Sequence, residues 1–322
     1  VRAALFHSEG LPPALVERVG RSLDRENIQL VGTLEVRDNS FEEAQRIFTS
    51  SGRVDALVGL GGGKALDVAK YVGFLLQKPY YSLPASLSND GFCSPQSSLT
   101  VAGERRSLPS RMPFAVVVDT EVCLQAPQML WWSGIGDLVA KITAVEDWKL
   151  AFHVTGTPVD DFAALLSDST VFQFVARPER DLEGTQLLAT ALMLNGIAMA
   201  VCGSSRPASG SEHLISHALD AHSRRPRLHG LQVGISTYLA AHLQERTDQE
   251  LIGRLFDRTG FWSAVAQDPF IRAEWIEAIR IAPTLKQDFY TVLSREDSLE
   301  KLVDLIDRDP RLTDCFTEKT SD

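Results

Sequence analysis

Three histidines in the second half of the chain, His213, His217 and His229, have the type and spacing of metal ligands. His213 and His217 are four residues apart, so on a helix their side chains share one face and can point into the same cavity. Such a pair, with a third histidine nearby and a distant aspartate, fits a catalytic metal site with three protein ligands and one open position. Hydrogen-bonded histidines at a helix end are the alternative.

A carboxylate that could complete such a site is Asp137, in the segment Ser133-Gly-Ile-Gly-Asp137-Leu-Val-Ala-Lys141. We predict that a helix begins in this segment, which places Asp137 at the helix start. An aspartate there commonly caps the helix by accepting hydrogen bonds from backbone N–H groups. The residue types therefore leave two roles open for Asp137, helix capping and metal binding.

Three consecutive glycines, Gly61, Gly62 and Gly63, follow a predicted buried strand over 56–60 and precede a predicted helix over 64–76. Because glycine has no Cβ atom, backbone N–H groups of such a loop can approach a pyrophosphate, and the helix directs the positive end of its dipole toward it. A tight turn without a ligand is the alternative. The spacing differs from the common GxGxxG fingerprint, so the glycines alone do not identify the cofactor.

A polar loop over residues 84–95 leaves the next predicted strand, which covers residues 80–83. The loop carries several hydroxyl groups and one carboxylate, Asp90, between proline and glycine residues. Loops at the carboxyl ends of strands are where α/β proteins place their binding groups. An ordinary polar turn has the same composition, so this loop alone does not establish a site.

Two halves of the chain with different patterns must position these residues. From residue 1 to about 125, short β-rich runs alternate with helical stretches, as in parallel α/β units. The predicted strands cover residues 3–6, 28–31, 56–60, 80–83 and 114–118. After Pro127, apolar residues recur at helical spacing. We therefore predict an α/β dinucleotide-binding domain with a parallel sheet over 1–125, followed by an all-α metal- and substrate-binding domain over 126–322.

The overall composition is that of a folded, soluble protein of the size of an enzyme. The chain has 322 residues, 44% of them hydrophobic, and a net charge of -10. This charge repels nucleic acid and anionic lipid, so we expect neither as a partner. The longest apolar stretch, residues 187–202, is interrupted by Asn195 and Gly196, which predicts a buried helix rather than a membrane span. Widely spaced cysteines and the lack of a signal-peptide pattern favour the cytoplasm.

Five motifs together carry a resemblance to a known enzyme family. In chain order they are GGGKALD (61–67), PASLSNDGFCSP (84–95), SGIGDLVAK (133–141), RPASGSEHLISHALD (206–220) and LHG (228–230). The chain resembles the iron-containing alcohol dehydrogenase superfamily, and within it the branch of glycerol-1-phosphate and glycerol dehydrogenases. The resemblance implies a dehydroquinate synthase-like architecture, an NAD or NADP cofactor and one divalent metal ion, usually zinc and in some members nickel or iron.

The resemblance also implies a role for individual residues. It assigns contacts with the dinucleotide to Gly63, Lys64, Asp67, Ala85, Ser86, Ser88 and Ser94. The glycine loop itself adds Gly61 and Gly62 as predicted cofactor contacts. The resemblance implies that Asp137, His213 and His229 bind the metal, and that Asp90 and His217 contact the substrate. At the first strand, Phe6-His-Ser-Glu-Gly10 replaces the family's usual glycine-rich turn, which leaves NAD versus NADP open.

The implied activity is that of an NAD(P)-dependent oxidoreductase acting on CH–OH groups. The expected reaction interconverts dihydroxyacetone phosphate and sn-glycerol-1-phosphate or a similar polyol, with Arg206 as a candidate phosphate contact. A glycerol or specialised polyol dehydrogenase is the first alternative. A dehydroquinate synthase-like lyase is the second, although that family carries glutamate where this chain has Asp137; a catalytically inactive nucleotide-binding protein would have lost metal ligands. We expect a small-molecule substrate and a homo-oligomer.

Overall fold

The computed structural model describes residues 1–245 and 248–318. Contacts between Cα atoms divide the chain into two compact units, Val1–Ala126 and Pro127–Asp322. The first unit holds the glycine loop and the polar loop. The second holds the three histidines and Asp137.

The first unit is built on a parallel sheet with helices, as the alternating pattern predicts. Its elements in chain order are β1 (Arg2–Ser8), α1 (Pro13–Arg25), β2 (Gln29–Val36), α2 (Phe41–Ser50), β3 (Ala56–Gly61), α3 (Gly63–Leu76), β4 (Tyr80–Pro84), β5 (Gln96–Val101), β6 (Glu104–Pro109), β7 (Ala115–Val116) and α4 (Thr120–Gln125). The sheet order is β2-β1-β3-β4-β7, and all neighbouring pairs are parallel.

The strand order reverses between β1 and β3. From β1 the chain adds β2 on one side, whereas β4 and β7 follow β3 on the other. Open α/β sheets bind ligands outside the carboxyl ends of their strands at such a switch point. Every residue of β3 is buried, which explains its continuous apolar run. The glycine loop that follows β3 therefore lies where this fold class binds ligands.

An antiparallel hairpin, β5 with β6, interrupts the α/β alternation and was not predicted. Its strands are rich in serine, threonine and arginine, and the outer strand β6 is almost entirely exposed. Leu99 is the one fully buried apolar side chain of β5. With so little apolar alternation, the segment has the composition of a loop.

The second unit is helical apart from a short parallel strand pair, which confirms the predicted order of an α/β region followed by a helical one. Its elements are α5 (Gln128–Thr155), α6 (Asp161–Ala176), α7 (Leu182–Cys202), α8 (Ser211–His222), α9 (His229–Leu243), α10 (Asp248–Thr259), α11 (Phe261–Ala266), β8 (Phe270–Ile271), α12 (Arg272–Ile281), α13 (Ser298–Arg308) and β9 (Phe316–Thr317).

Helix α5 runs through the segment that was predicted to start a helix, so the placement of Asp137 at a helix N-terminus is wrong. Asp137 lies in the interior of α5 and cannot cap it. The neighbouring glycines serve helix packing instead. A Cβ atom on Gly136 would lie 1.9 Å from the carbonyl oxygen of Gly230, and one on Gly230 would lie 1.7 Å from that of Ser133. Helices α5 and α9 therefore pack backbone against backbone.

Helix α7 contains the longest apolar stretch of the chain. By length and composition it could cross a membrane, but half of its most apolar window is buried within the protein. Buried residues such as Leu188, Leu192 and Asn195 lie along it, and Ser167 of α6 donates a hydrogen bond to the Asn195 side chain at 3.2 Å. These contacts are those of a core helix.

Candidate functional site

The close approach of α5 and α9 brings Asp137 beside His229, the first residue of α9. Helix α8 adds His213 from a third direction. Asp137 Oδ1 lies 3.4 Å from Nε2 of His213 and 3.6 Å from Nε2 of His229. Among the described residues, these three side chains form a group whose ligand atoms all lie within 4.8 Å of one another.

The donor atoms of this group suit a divalent metal ion. One carboxylate oxygen and two imidazole nitrogens are the ligand types of catalytic zinc sites, which keep a further position open for substrate. Asp137 is 1% exposed and His213 is 8% exposed, while His229 is partly exposed. The side chains of these residues therefore fit a metal ion that is enclosed by protein on one side and accessible on the other.

Each of the three side chains is held by a neighbour. Glu212 Oε1 lies 2.8 Å from Nδ1 of His213, and Ser216 Oγ lies 3.1 Å from Nδ1 of His229. Both imidazoles therefore use Nδ1 for a protein contact and direct Nε2 toward Asp137. On the other side of the carboxylate, Lys141 Nζ lies 3.7 Å from Asp137 Oδ2.

The third histidine of the cluster, His217, lies beside this group but outside it. Its ring centroid is 6.3 Å from that of His213 and 6.2 Å from that of His229, onto which it stacks at 28°. His217 is partly exposed. This position suits contact with a molecule bound next to the three ligand atoms.

In the metal-free protein, burial and neighbouring charges shift the pKa values of Asp137 and His213. Burial alone would raise the pKa of Asp137, but Lys141 and the hydrogen bond with His213 outweigh it and hold this pKa below its ordinary value. Burial alone would lower the pKa of His213, but hydrogen bonds to Asp137 and Glu212 raise it. The free protein therefore carries an ionised Asp137 and keeps the proton on His213 to a higher pH than usual.

We expect metal affinity to fall as the pH falls from 8 to 6. A metal ion binds neutral imidazole and must displace the proton of His213, whose pKa is raised. Below that pKa the affinity should fall by at least about tenfold per pH unit, since the metal ion displaces at least the proton of His213. Competition between the metal-free protein and a chelator of known pH dependence measures this; equal Zn²⁺ affinity at pH 6 and 8 would contradict the assignment of His213 as a ligand.

In the first unit, the glycine loop has a backbone that only glycine can adopt at its first position. Gly61 has φ 138°, and a Cβ atom there would lie 2.1 Å from Ser8 Oγ. Gly62 N–H donates a hydrogen bond to the same oxygen at 3.0 Å. Ser8, at the end of β1, thus packs against the glycine loop.

The polar loop is tied to the glycine loop by backbone and side-chain contacts. Ala85 N–H donates to Gly61 O at 2.9 Å, and Ser86 Oγ is the nearest atom, at 4.0 Å, to a Cβ placed on Gly62. The buried Lys70 Nζ lies 3.1 Å from Asp67 Oδ1 and donates to Gly91 O at 2.7 Å. The two loops therefore form one surface at the end of β3 and β4.

The other residues predicted to contact cofactor or substrate in this unit differ in accessibility. Lys64 is exposed, and Asp90 is partly exposed at the start of a 3-10 turn over Asp90–Cys93. Ser88 accepts a hydrogen bond from the Asn89 side chain at 3.4 Å. Ser94 is buried, accepts from Lys70 Nζ and donates to Gln96 O, so its hydroxyl already has protein partners.

Arg206 is buried in the helical unit, where its guanidinium holds a neighbouring segment. It donates to the carbonyl oxygens of Tyr290 at 2.8 Å and Asp288 at 3.5 Å. Its Cζ atom lies 3.6 Å from the ring centroid of Phe289, and Lys286 Nζ lies 4.5 Å from the same centroid. Two cationic side chains thus flank one aromatic ring.

Sequence reasoning missed Glu212 and Ser216, which contact the two histidine ligands. It also missed Lys70, which holds the polar loop through Gly91 O. For two of these three residues, the sequence position gave an indication. Glu212 directly precedes His213, and Lys70 lies one helical turn after Asp67. The contact of Ser216 with His229 joins two helices and has no local pattern in the sequence.

The chain is similar in sequence to a family model and to curated enzymes of one family. A model of the iron-containing alcohol dehydrogenase family matches residues 1–127. The glycerol-1-phosphate dehydrogenase [NAD(P)+] of Metallosphaera sedula is 36% identical over 310 residues, covering 91% of this chain and 88% of that enzyme. The enzyme of the same name from Thermococcus sibiricus is 33% identical over 295 residues, covering 88% of this chain and 83% of that enzyme.

Among solved structures, a probable glycerol dehydrogenase from Sinorhizobium meliloti superposes with a TM-score of 0.75 at 20% identity. The match covers 94% of this chain and 90% of that one. At this identity the likeness concerns the fold, and it agrees with the α/β and helical units described above.

Proposed function

The chain belongs to the iron-containing alcohol dehydrogenase family, and from this premise we propose that it is a metal-dependent, NAD(P)-linked dehydrogenase interconverting dihydroxyacetone phosphate and sn-glycerol-1-phosphate. The observation that carries the proposal is the convergence of Asp137 Oδ1 with Nε2 of His213 and His229. The names of relatives that cover most of this chain support the choice of substrate.

We assign the dinucleotide to the first unit. The N-terminus of α3 and the open backbone at Gly62 can accept a pyrophosphate. Ala85 and Ser86 border the same loop, and Lys70 holds it through Gly91 O. This surface binds and orients the cofactor, whose nicotinamide carries the hydride.

We assign the metal and the alcohol to the helical unit. Asp137, His213 and His229 would hold a divalent cation, for which we expect zinc, with nickel or iron as alternatives. Such a cation would supply Lewis-acid chemistry, by stabilising negative charge on the substrate oxygen. Oxidation of the alcohol releases a hydride, which the nicotinamide would carry, and a proton from the hydroxyl group. His217, beside the ligand group, accepts or relays that proton.

The substrate phosphate needs a cationic group, and Arg206 is our candidate. It lies seven residues before His213 in the chain, and a second cation, Lys286, shares the ring of Phe289 with it. Burial lowers the pKa of Lys286, and the charge of Arg206 lowers it further. A phosphate dianion would relieve the repulsion between the two cations.

We expect the protein to prefer dihydroxyacetone phosphate to dihydroxyacetone by about 10- to 150-fold in kcat/KM, since a charge-assisted hydrogen bond contributes about 1.5–3 kcal/mol. The test is a substrate panel with NADH and NADPH after loading with Zn²⁺. It compares the parent with Arg206→Ala, which should lose most of the preference, and with Arg206→Lys, which keeps the charge.

The panel separates the parts of the proposal. Equal kcat/KM for both ketones in the parent protein would refute the phosphate substrate while leaving the dehydrogenase. Turnover of neither ketone by the metal-loaded parent would refute the reaction. A parent preference that persists in Arg206→Ala would move the phosphate contact to another residue.

A further inference from the structure

We propose that Glu212 is a positioning residue that orients His213 for metal binding and places a negative charge directly behind it. The proposal rests on the proposed function in one respect, that Asp137, His213 and His229 hold a metal ion. Glu212 is fully buried, with 0% of its surface exposed. Its Oε1 atom lies 2.8 Å from Nδ1 of His213, the residue that follows it in α8.

This contact determines which nitrogen of His213 carries the proton. A carboxylate accepts hydrogen bonds and cannot donate them, so Nδ1 must bear the hydrogen. Nε2 then keeps its lone pair in the neutral imidazole. Nε2 is the atom that faces Asp137 Oδ1 at 3.4 Å. Glu212 therefore sets both the tautomer and the rotation that metal binding requires.

The carboxylate of Glu212 is itself held in place. Gly210 N–H donates to Oε1 at 2.5 Å, and Thr143 Oγ1 donates to Oε2 at 2.8 Å. A Cβ atom on Gly210 would lie 3.0 Å from Oε2 and 2.9 Å from Ala144 Cα, which explains glycine at this position. Both oxygens thus have partners on the Nδ1 side of His213, away from the three ligand atoms.

The two metal histidines have unequal partners. His229 Nδ1 faces the neutral hydroxyl of Ser216, which also accepts a hydrogen bond from Gln232 Nε2 at 3.0 Å. His213 faces a full carboxylate. A charged acceptor polarises an imidazole more strongly than a hydroxyl group does, and so makes Nε2 the more basic ligand. We therefore expect Glu212 to contribute more to metal affinity than Ser216.

The decisive variant is Glu212→Gln, which removes the charge and keeps the shape. The new amide oxygen can still accept from His213 and Gly210. Thr143 Oγ1 lies 3.1 Å from Ala140 O, so its hydroxyl can donate there and accept from the new amide nitrogen. Chelator competition on the metal-free protein, without substrate, should give a Zn²⁺ affinity about 10- to 100-fold weaker than the parent's. Ser216→Ala should lose less.

Glu43→Gln is the matched control, because Glu43 is a buried carboxylate paired with Arg46 in the other unit. The Glu43→Gln protein should bind Zn²⁺ with the same affinity as the parent. If Glu212→Gln does not fold, judged by circular dichroism, Thr143→Val takes its place by removing the hydrogen bond to Oε2. Unchanged Zn²⁺ affinity in the variant that is used overturns the proposal.

Co²⁺ absorption adds a readout of coordination. Glu212→Gln should keep the parent's ligand-field bands with weaker binding, whereas a changed coordination number would make Glu212 a ligand and overturn its positioning role. A parent protein that binds no Zn²⁺ overturns this inference and the proposed metal site together. Normal binding by the parent with no effect of Glu212→Gln overturns this inference alone.

Discussion

Replacing His213 with alanine is expected to remove metal and activity together. His213 supplies one of three ligand atoms that lie within 4.8 Å of one another, and with two ligands left the site loses most of its binding energy. The loss of affinity should exceed the roughly 10- to 100-fold that removal of an outer partner costs. Metal content of the purified variant, measured by mass spectrometry beside turnover, gives both quantities.

His217→Ala should behave differently, although His217 lies one helical turn from His213 on the same face. Its ring stacks on His229 without joining the group of ligand atoms. The variant should therefore keep nearly full metal occupancy and lose turnover, by about 10²-fold or more if His217 transfers a proton. Metal loss in His217→Ala with retention in His213→Ala would exchange the two assignments.

A histidine outside the site controls for the substitution itself. His153 is exposed near the end of α5, and His153→Ala should change neither metal content nor turnover. Circular dichroism of the metal-free proteins tests folding, because His213→Ala also leaves Glu212 without its imidazole partner. A His213→Ala protein that folds, binds Zn²⁺ as the parent does and turns over normally would refute the metal site.

Local sequence patterns predicted most of the fold because the apolar residues of each unit follow one dominant pattern, short buried strand runs alternating with helices in the first unit and helical spacing in the second. Buried strands such as β3 and the helix after it follow from apolar runs and glycines alone. The hairpin β5–β6 escaped prediction because its polar strands pair with each other and bury little. A pairing that buries few apolar side chains leaves no alternation in the sequence.

The candidate site shows the same division between local and tertiary information. The spacing of His213 and His217 and the order of the motifs predicted the candidate metal ligands, and the structure brings Asp137, His213 and His229 together. The position of Asp137 within its helix could not be inferred, because glycines that begin a helix and glycines that let two helices touch look alike in sequence. Only the contact of Gly136 with Gly230 distinguishes them.

Replacing Gly62 with valine is expected to weaken dinucleotide binding and leave the fold intact. Gly62 has φ -87°, a conformation open to any residue, and the nearest atom to a Cβ placed there is Ser86 Oγ at 4.0 Å. The side chain therefore fits the free protein but occupies the space between the two loops that we assign to the pyrophosphate. Overpacking of this kind costs about 1–3 kcal/mol, or roughly 5- to 150-fold in affinity. Titration of NADH fluorescence measures it.

Two further glycines make the test specific to the loop. Gly61→Ala should unfold the protein at lower temperature, because its Cβ atom would lie 2.1 Å from Ser8 Oγ at φ 138°. Gly32→Val in β2 should affect neither property, since nothing lies within 4 Å of a Cβ there and valine suits a strand. Thermal melting compares the three variants, and only Gly61→Ala should lower the melting temperature. A Gly62→Val protein with the parent's NADH affinity would show that the pyrophosphate does not bind at this loop, because a valine side chain cannot share that space with it.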